Sequence, residues 1–305
     1  ADRRVTRPLT LLGAPSNIGI RPYGDGTPRS LDRAPAVLRD LGLERRLGAE
    51  PGRDVVPRPH RDLARPPGRP RNEAAIATLS GELADRVAGI TARGRMPLVL
   101  GGDCSIVLGC LLGLRQGGAR RVGLAYLDAH ADFATPLESV TGSAASMCLA
   151  MAVGRGDTPL ARLGGSRPLV RAADAALAGR RDQAEPWYGH DALAASPILD
   201  LPGREVDAAG WGPTGATVLD RVARDDLDGF WIHLDADLLD PAVMPAVDSP
   251  LPGGPDVAAL AELLRPLVRH PKALGMELTI YDPTLDPGLA AGERLIQLLE
   301  RVFRG

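Results

Sequence analysis

Apolar residues recur along this chain in two rhythms, and together they predict strands alternating with helices. Short, mainly apolar runs, of the kind buried on both faces of a parallel sheet, occur at residues 8–13, 98–100, 121–127, 174–178, 229–234 and 274–280. Between the first two, Ile76, Leu79, Leu83, Val87 and Ile90 repeat at three and four residues and stop before Gly94, which is an amphipathic helix. Further helices are read at 34–41, 105–114, 146–153, near 215–224, from Val257 and from Leu289. Residues 14–32 and 154–170 read as loops, and 50–72, dense in proline and arginine, as a surface excursion. The alternation implies an α/β fold with a mainly parallel central sheet between two helical layers, a three-layer α/β/α arrangement. With no linker-length tract and no internal repeat, residues 1–305 read as one domain.

Composition narrows the function classes. Aromatic residues are only 3% of the chain against 44% hydrophobic, so the core has to be built from Ala, Leu and Val. A net charge of -2 argues against nucleic acid or an anionic membrane surface as partner. No run approaches the roughly eighteen apolar residues of a membrane span. Residues 1–7 carry charge without a following apolar segment, so no signal peptide is read there. Cys104, Cys110 and Cys148 are scattered, which is no disulfide framework and suits a reducing cytoplasm.

The chemistry lies where the apolar runs end. After the third run come Asp128, His130 and Asp132 at i, i+2 and i+4, a spacing that turns three metal-competent side chains to one side of extended chain. After the fifth come Asp235 and Asp237, then Asp240 before Pro241. Asp128, Asp132, Asp235 and Asp237 in one cleft would need protons or cations to balance them. Two divalent ions would do so, and an oxygen-rich set with one imidazole favours Mn²⁺ over Zn²⁺. The second run ends in Gly101-Gly102-Asp103-Cys104, a tight turn into a helix, and the sixth carries one acid, Glu277, in apolar company. In parallel α/β sheets ligands bind at the carboxyl ends of strands, where these motifs sit.

In this order and at these separations the motifs resemble those of the ureohydrolases (arginase, agmatinase, formimidoylglutamase): Gly-Gly-Asp-His, Asp-Ala-His-x-Asp, Asp-x-Asp-x-x-Asp-Pro and a strand glutamate. Gly13-Ala14-Pro15, residues 34–39 and 249–254 extend the likeness over nearly the whole chain. The resemblance implies an arginase-like fold, two Mn²⁺ per chain, a linear guanidine or amidine substrate, and a homo-oligomer, trimer or hexamer. Residue by residue, it implies that Asp128 and Asp235 bridge both ions, that Asp132 and Cys104 complete one, and that His130 and Asp237 complete the other. The ions would activate water for attack on a planar C–N centre, with Asp132 in the catalytic machinery, and Glu277 would grip the substrate cation. Asp240 reads as a turn residue and His233 as a satisfied core histidine.

Three departures bear on the substrate. Cys104 stands where the family has a ligand histidine, either as a softer thiolate ligand or as a neutral, non-ligating residue beside a weakened or empty first site. Ala134 replaces an asparagine that reads an amino-acid head group, and the proton-shuttle histidine falls near Ala145. Of the acidic motif that holds an α-amino group, only Asp182 clearly remains, in Arg181-Asp182-Gln183-Ala184-Glu185. Plain L-arginine is therefore not the expected substrate, and a modified guanidine such as N-hydroxyarginine is. A branch that hydrolyses N-hydroxyarginine likewise has Cys at the histidine position. The alternative is a degenerate family member that binds a ligand without turnover.

Overall fold

All six apolar runs become strands. The computed structural model describes residues 7–61, 65–185 and 189–304; the N-terminal charged stretch through Thr6, part of the 50–72 excursion, residues 186–188 and residue 305 lie outside the described residues. In chain order the elements are β1 (Leu9–Gly13), α1 (Ala34–Asp40), α2 (Leu43–Leu47), β2 (Glu50–Pro51), α3 (Glu73–Thr91), β3 (Met96–Leu100), α4 (Ile106–Gln116), β4 (Val122–Leu127), α5 (Cys148–Ala152), β5 (Ala175–Ala178), α6 (His190–Ala194), β6 (Leu199–Leu201), α7 (Gly203–Ala209), α8 (Trp211–Val222), β7 (Gly229–Asp235), α9 (Val257–Val268), β8 (Ala273–Thr279) and α10 (Ala290–Phe303).

The strands form one parallel eight-stranded sheet in the order β2-β1-β3-β8-β7-β4-β5-β6. Its two edge strands, β2 and β6, have no counterpart in the apolar pattern. They are two and three residues long and exposed or half-buried, so neither leaves an apolar run to read. The central strands are buried along nearly their whole length, as a sheet covered on both faces requires. Helices α3, α4 and α5 pack together in one layer, and α8, α9 and α10 in the other.

Local sequence explains the close approach of the first layer. A Cβ at Gly109 would lie 2.9 Å from the Ser80 carbonyl, and one at Gly113 2.7 Å from that of Ala84. These two glycines, one helical turn apart, let α4 lie directly against α3. The core between the layers is aliphatic, with Trp231, Tyr126, Tyr281 and Phe230 its largest fully buried side chains.

Candidate metal centre

Three neighbouring strands, β8, β7 and β4, build the floor of the site. Their register sets Tyr126 opposite His233 and His233 opposite Glu277, one row of side chains across the sheet. The Tyr126 and His233 rings stack at 4.0 Å, and His233 Nδ1 lies 2.7 Å from Glu277 Oε1. All three residues are wholly buried.

Past the strand ends the chain turns sharply and brings its acids together. Asp128 Oδ1 accepts from the His130 amide at 2.6 Å, Asp235 Oδ1 from the Asp237 amide at 2.8 Å, and His130 Nδ1 sits 2.9 Å from Asp237 Oδ2. Asp132 takes a left-handed backbone (φ 46°), which Asp tolerates better than most residues, and Tyr126 Oη donates to its Oδ2 at 2.6 Å. Cys104 reaches the cluster from the turn before α4, its Sγ 3.0 Å from Asp235 Oδ2. That turn is held by Asp103, whose carboxylate accepts from Ser16 Oγ and from the amides of Gly19 and Ser105. Gly102 makes it possible: its φ is 88°, and a Cβ there would meet three backbone atoms of Ala14 and Ser16 at 2.8–2.9 Å.

The electrostatics are those of a cation site. Burial, and then the charges of Asp237 and Asp128, push the Asp235 carboxyl well above the usual range, and burial with Asp128 does the same to Asp132. Asp128 goes the other way: burial opposes its ionisation, but the neighbouring imidazoles of His130 and His233 outweigh burial and hold it low. Burial lowers the basicity of His233, yet Asp128 and Glu277 overcome that and raise it to about 10. Burial and the neighbouring carboxylates raise the Cys104 thiol, so its sulfur keeps the proton it donates to Asp235. Two imidazoles do not balance four carboxylates, and divalent cations would supply the missing charge.

The donor atoms fit such ions. Cys104, Asp128, His233 and Asp235 each offer one atom within 4.8 Å of all the others, and so do Asp128, His130 and Asp237. Asp128 belongs to both groups. Its Oδ2 is buried and has no hydrogen-bond partner, and the same is true of His233 Nε2.

Cys104, Asp128, His130, Asp132, Asp235 and Asp237 all line one open cleft of about 500 Å³. Asp132 stands in neither donor group, being engaged by Tyr126. Two of the expected site residues are absent from the cleft lining. Glu277 does not reach the cleft: it is wholly buried beneath the cluster and bonded to His233, because its side chain lies in the row under the acids rather than beyond the strand end. The residue of that segment that does line the cleft is Ile280, with φ 68° and its amide bonded to the Gly102 carbonyl. Asp182 likewise lies outside the lining. It accepts from the Ala131 amide at 2.7 Å and from Arg180, and so braces the turn after β4 from outside the cleft. Glu185, three residues on, lines the cleft instead, as do Arg21 and Ser143.

His233 was legible only in part. It is buried and bonded to Glu277 as a core histidine would be, but its second nitrogen is unpartnered and aimed at Asp128. Its spacing of two from Asp235 on one strand was the available signal. Nothing in the sequence pointed to Tyr126, Glu185 or Arg21.

Comparison with known proteins agrees with this architecture. The sequence model of the Arginase family matches residues 8–301. Arginase from Bacillus caldovelox is 30% identical over 81% of this chain and 82% of its own, and arginase from Brevibacillus brevis 28% identical over 97% of both. The solved structure of Bacillus caldovelox arginase superposes with a TM-score of 0.84 at 28% identity, covering 98% of this chain and 99% of that one. Formimidoylglutamase from Bacillus subtilis, at 17% identity and a TM-score of 0.73, shares the fold. The chain thus belongs to the arginase family, the ureohydrolases that cleave amidino C–N bonds.

Proposed function

We propose that this protein is a two-metal hydrolase whose cleft takes a modified guanidine, such as N-hydroxyarginine, in preference to plain L-arginine. The observation that carries the reading is the pair of buried donor groups joined through Asp128 on the floor of an open cleft. Cys104, Asp128 and Asp235 would hold one ion, and Asp128, His130 and Asp237 the other. The predominance of carboxylate oxygen favours Mn²⁺. When bound, the ions supply Lewis acidity that makes water nucleophilic near neutral pH. Tyr126 fixes the Asp132 carboxyl at the cleft wall, where it can complete an ion's shell or take a proton from the attacking water.

The walls support the substrate choice. Ile280 presents an apolar face where a carboxylate would otherwise meet the reacting cation, so a fully charged guanidinium gains no partner from that segment. A hydroxyguanidine is less basic and loses less there. It also depends less on a proton shuttle, and the wall at Ala145 offers none. At the rim Arg21 and Ser143 suit a substrate carboxylate and Glu185 an amine. The three free cysteines are buried, which suits the cytoplasm, and among the described residues no helix is long and apolar enough to cross a membrane.

The test is a panel of guanidino compounds offered to Mn²⁺-loaded protein, reading urea and hydroxyurea release. Turnover of the hydroxyguanidine at least tenfold above L-arginine is expected. Two bound ions per chain without any turnover would support binding without catalysis instead. Assembly as a trimer or hexamer is part of the same reading, and light scattering that gave a mass near 32.0 kDa would contradict it.

A further inference from the structure

A second imidazole sits at the metal centre, in a place that the sequence motifs do not mark. His233 is wholly buried, and its two nitrogens have different fates. Nδ1 is paired with Glu277 Oε1 at 2.7 Å, and Nε2 has no hydrogen-bond partner. The nearest group that could satisfy Nε2 is Asp128 Oδ2, itself unpartnered and 3.8 Å away, beyond hydrogen-bond reach. Two buried polar atoms left facing one another at that separation are costly unless something sits between them.

A metal ion explains the gap. Two bonds of about 2.1 Å opened to roughly 120° would span about 3.6 Å. We propose that His233 Nε2 is a ligand of the ion held by Cys104, Asp128 and Asp235, oriented from behind by Glu277. The sheet supplies the geometry. His233 and Asp235 are two residues apart on β7 and point to one side, Glu277 lies directly across on β8, and Tyr126 stacks on the ring from β4. A carboxylate bonded to the remote nitrogen of a ligand histidine fixes its tautomer and raises its basicity. This is the role that the bond from His233 gives the buried Glu277. The imidazole absent from position 104 is thus supplied from one strand step below the floor, which leaves Cys104 a minor donor at that corner.

The assignment rests on the two-metal reading, and the test separates their failures. Full-length protein is loaded with Mn²⁺, its metal content is measured, and pulsed electron paramagnetic resonance reads nitrogen coupling to the bound ion. In the wild type two coupled imidazoles are expected. His130→Gln should retain one, His233→Gln should retain the other, and the double variant should show none. His233→Gln should also bind its remaining metal at least tenfold more weakly at the affected corner. If His130→Gln retains metal but loses all nitrogen coupling, His233 is no ligand and acts as a buried counter-charge; the proposal then falls and the two-metal reading stands. If the wild type binds no Mn²⁺ at millimolar concentration, both fall. Because wild type and His130→Gln suffice to decide, poor folding of His233→Gln would leave the test intact.

Discussion

The two donor groups share one residue, and that overlap makes a countable prediction. A ligand that binds only the folded state adds stability as RT ln(1 + [L]/Kd), so above saturation each site contributes about 1.4 kcal/mol per tenfold rise in free metal. Two sites give about 2.8 kcal/mol per decade, and for a chain of 305 residues that is a rise in Tm of roughly 5 °C per decade. Asp128 contributes to both groups, whereas Asp237 contributes only to that of His130 and Asp235 only to that of Cys104. Asp128→Asn, nearly isosteric, should therefore abolish the dependence on Mn²⁺, while Asp237→Asn should halve it to about 1.4 kcal/mol per decade. Asp235→Asn separates two readings: the geometry expects the halved slope, and bridging of both ions, as the family motif implies, expects none. The assay is thermal unfolding across three decades of free Mn²⁺ at fixed protein concentration, with bound metal counted by elemental analysis. An Asp128→Asn protein with the wild-type slope would refute the shared-ligand arrangement.

Other changes probe the scaffold. Gly102→Ala puts a side chain at φ 88° against three backbone atoms; about 1–2 kcal/mol of backbone strain plus about 1–3 kcal/mol of displacement should be lost in urea unfolding, and a loss under 0.5 kcal/mol would show that the turn before Cys104 is free to move. Tyr126→Phe keeps the stack on His233 but deletes the 2.6 Å bond to Asp132, so calorimetry should record a loss of about 1–3 kcal/mol; unchanged stability and unchanged kcat would remove Tyr126 from the site. Asp174 is fully buried between Arg121 and Arg224, which hold its carboxyl below the usual range against the opposing effect of burial. Its folded pKa lies below the unfolded one, so the stabilisation is present above the unfolded pKa and is lost as pH falls through the folded value. Asp174→Asn should cost about 2–4 kcal/mol at pH 7, and its deficit against wild type should shrink below about pH 4; a deficit independent of pH would mean that the charge plays no part.

What could be read directly from the chain was whatever depends on local pattern. Mainly apolar runs marked the six inner strands because a doubly covered sheet buries both faces of each strand. Acids at alternate positions after those runs marked the strand ends where Asp128, His130, Asp132, Asp235 and Asp237 gather, because a side-chain period of two turns such residues to one side. Short edges such as β2 and β6 bury too little to leave a pattern. Partnerships across the sheet were the business of tertiary structure. Whether Glu277 meets substrate or a histidine is decided by how far it lies from the strand end and by the residue opposite it on β7, neither of which is encoded near position 277. The partner of Asp182 is set in a similar way: its acceptor role depends on a turn about fifty residues earlier in the chain. The unpartnered nitrogen of His233 likewise exists only because β4, β7 and β8 are neighbours in this register. Local sequence sets which way a side chain leaves the backbone, and the register of non-adjacent strands sets what it finds there.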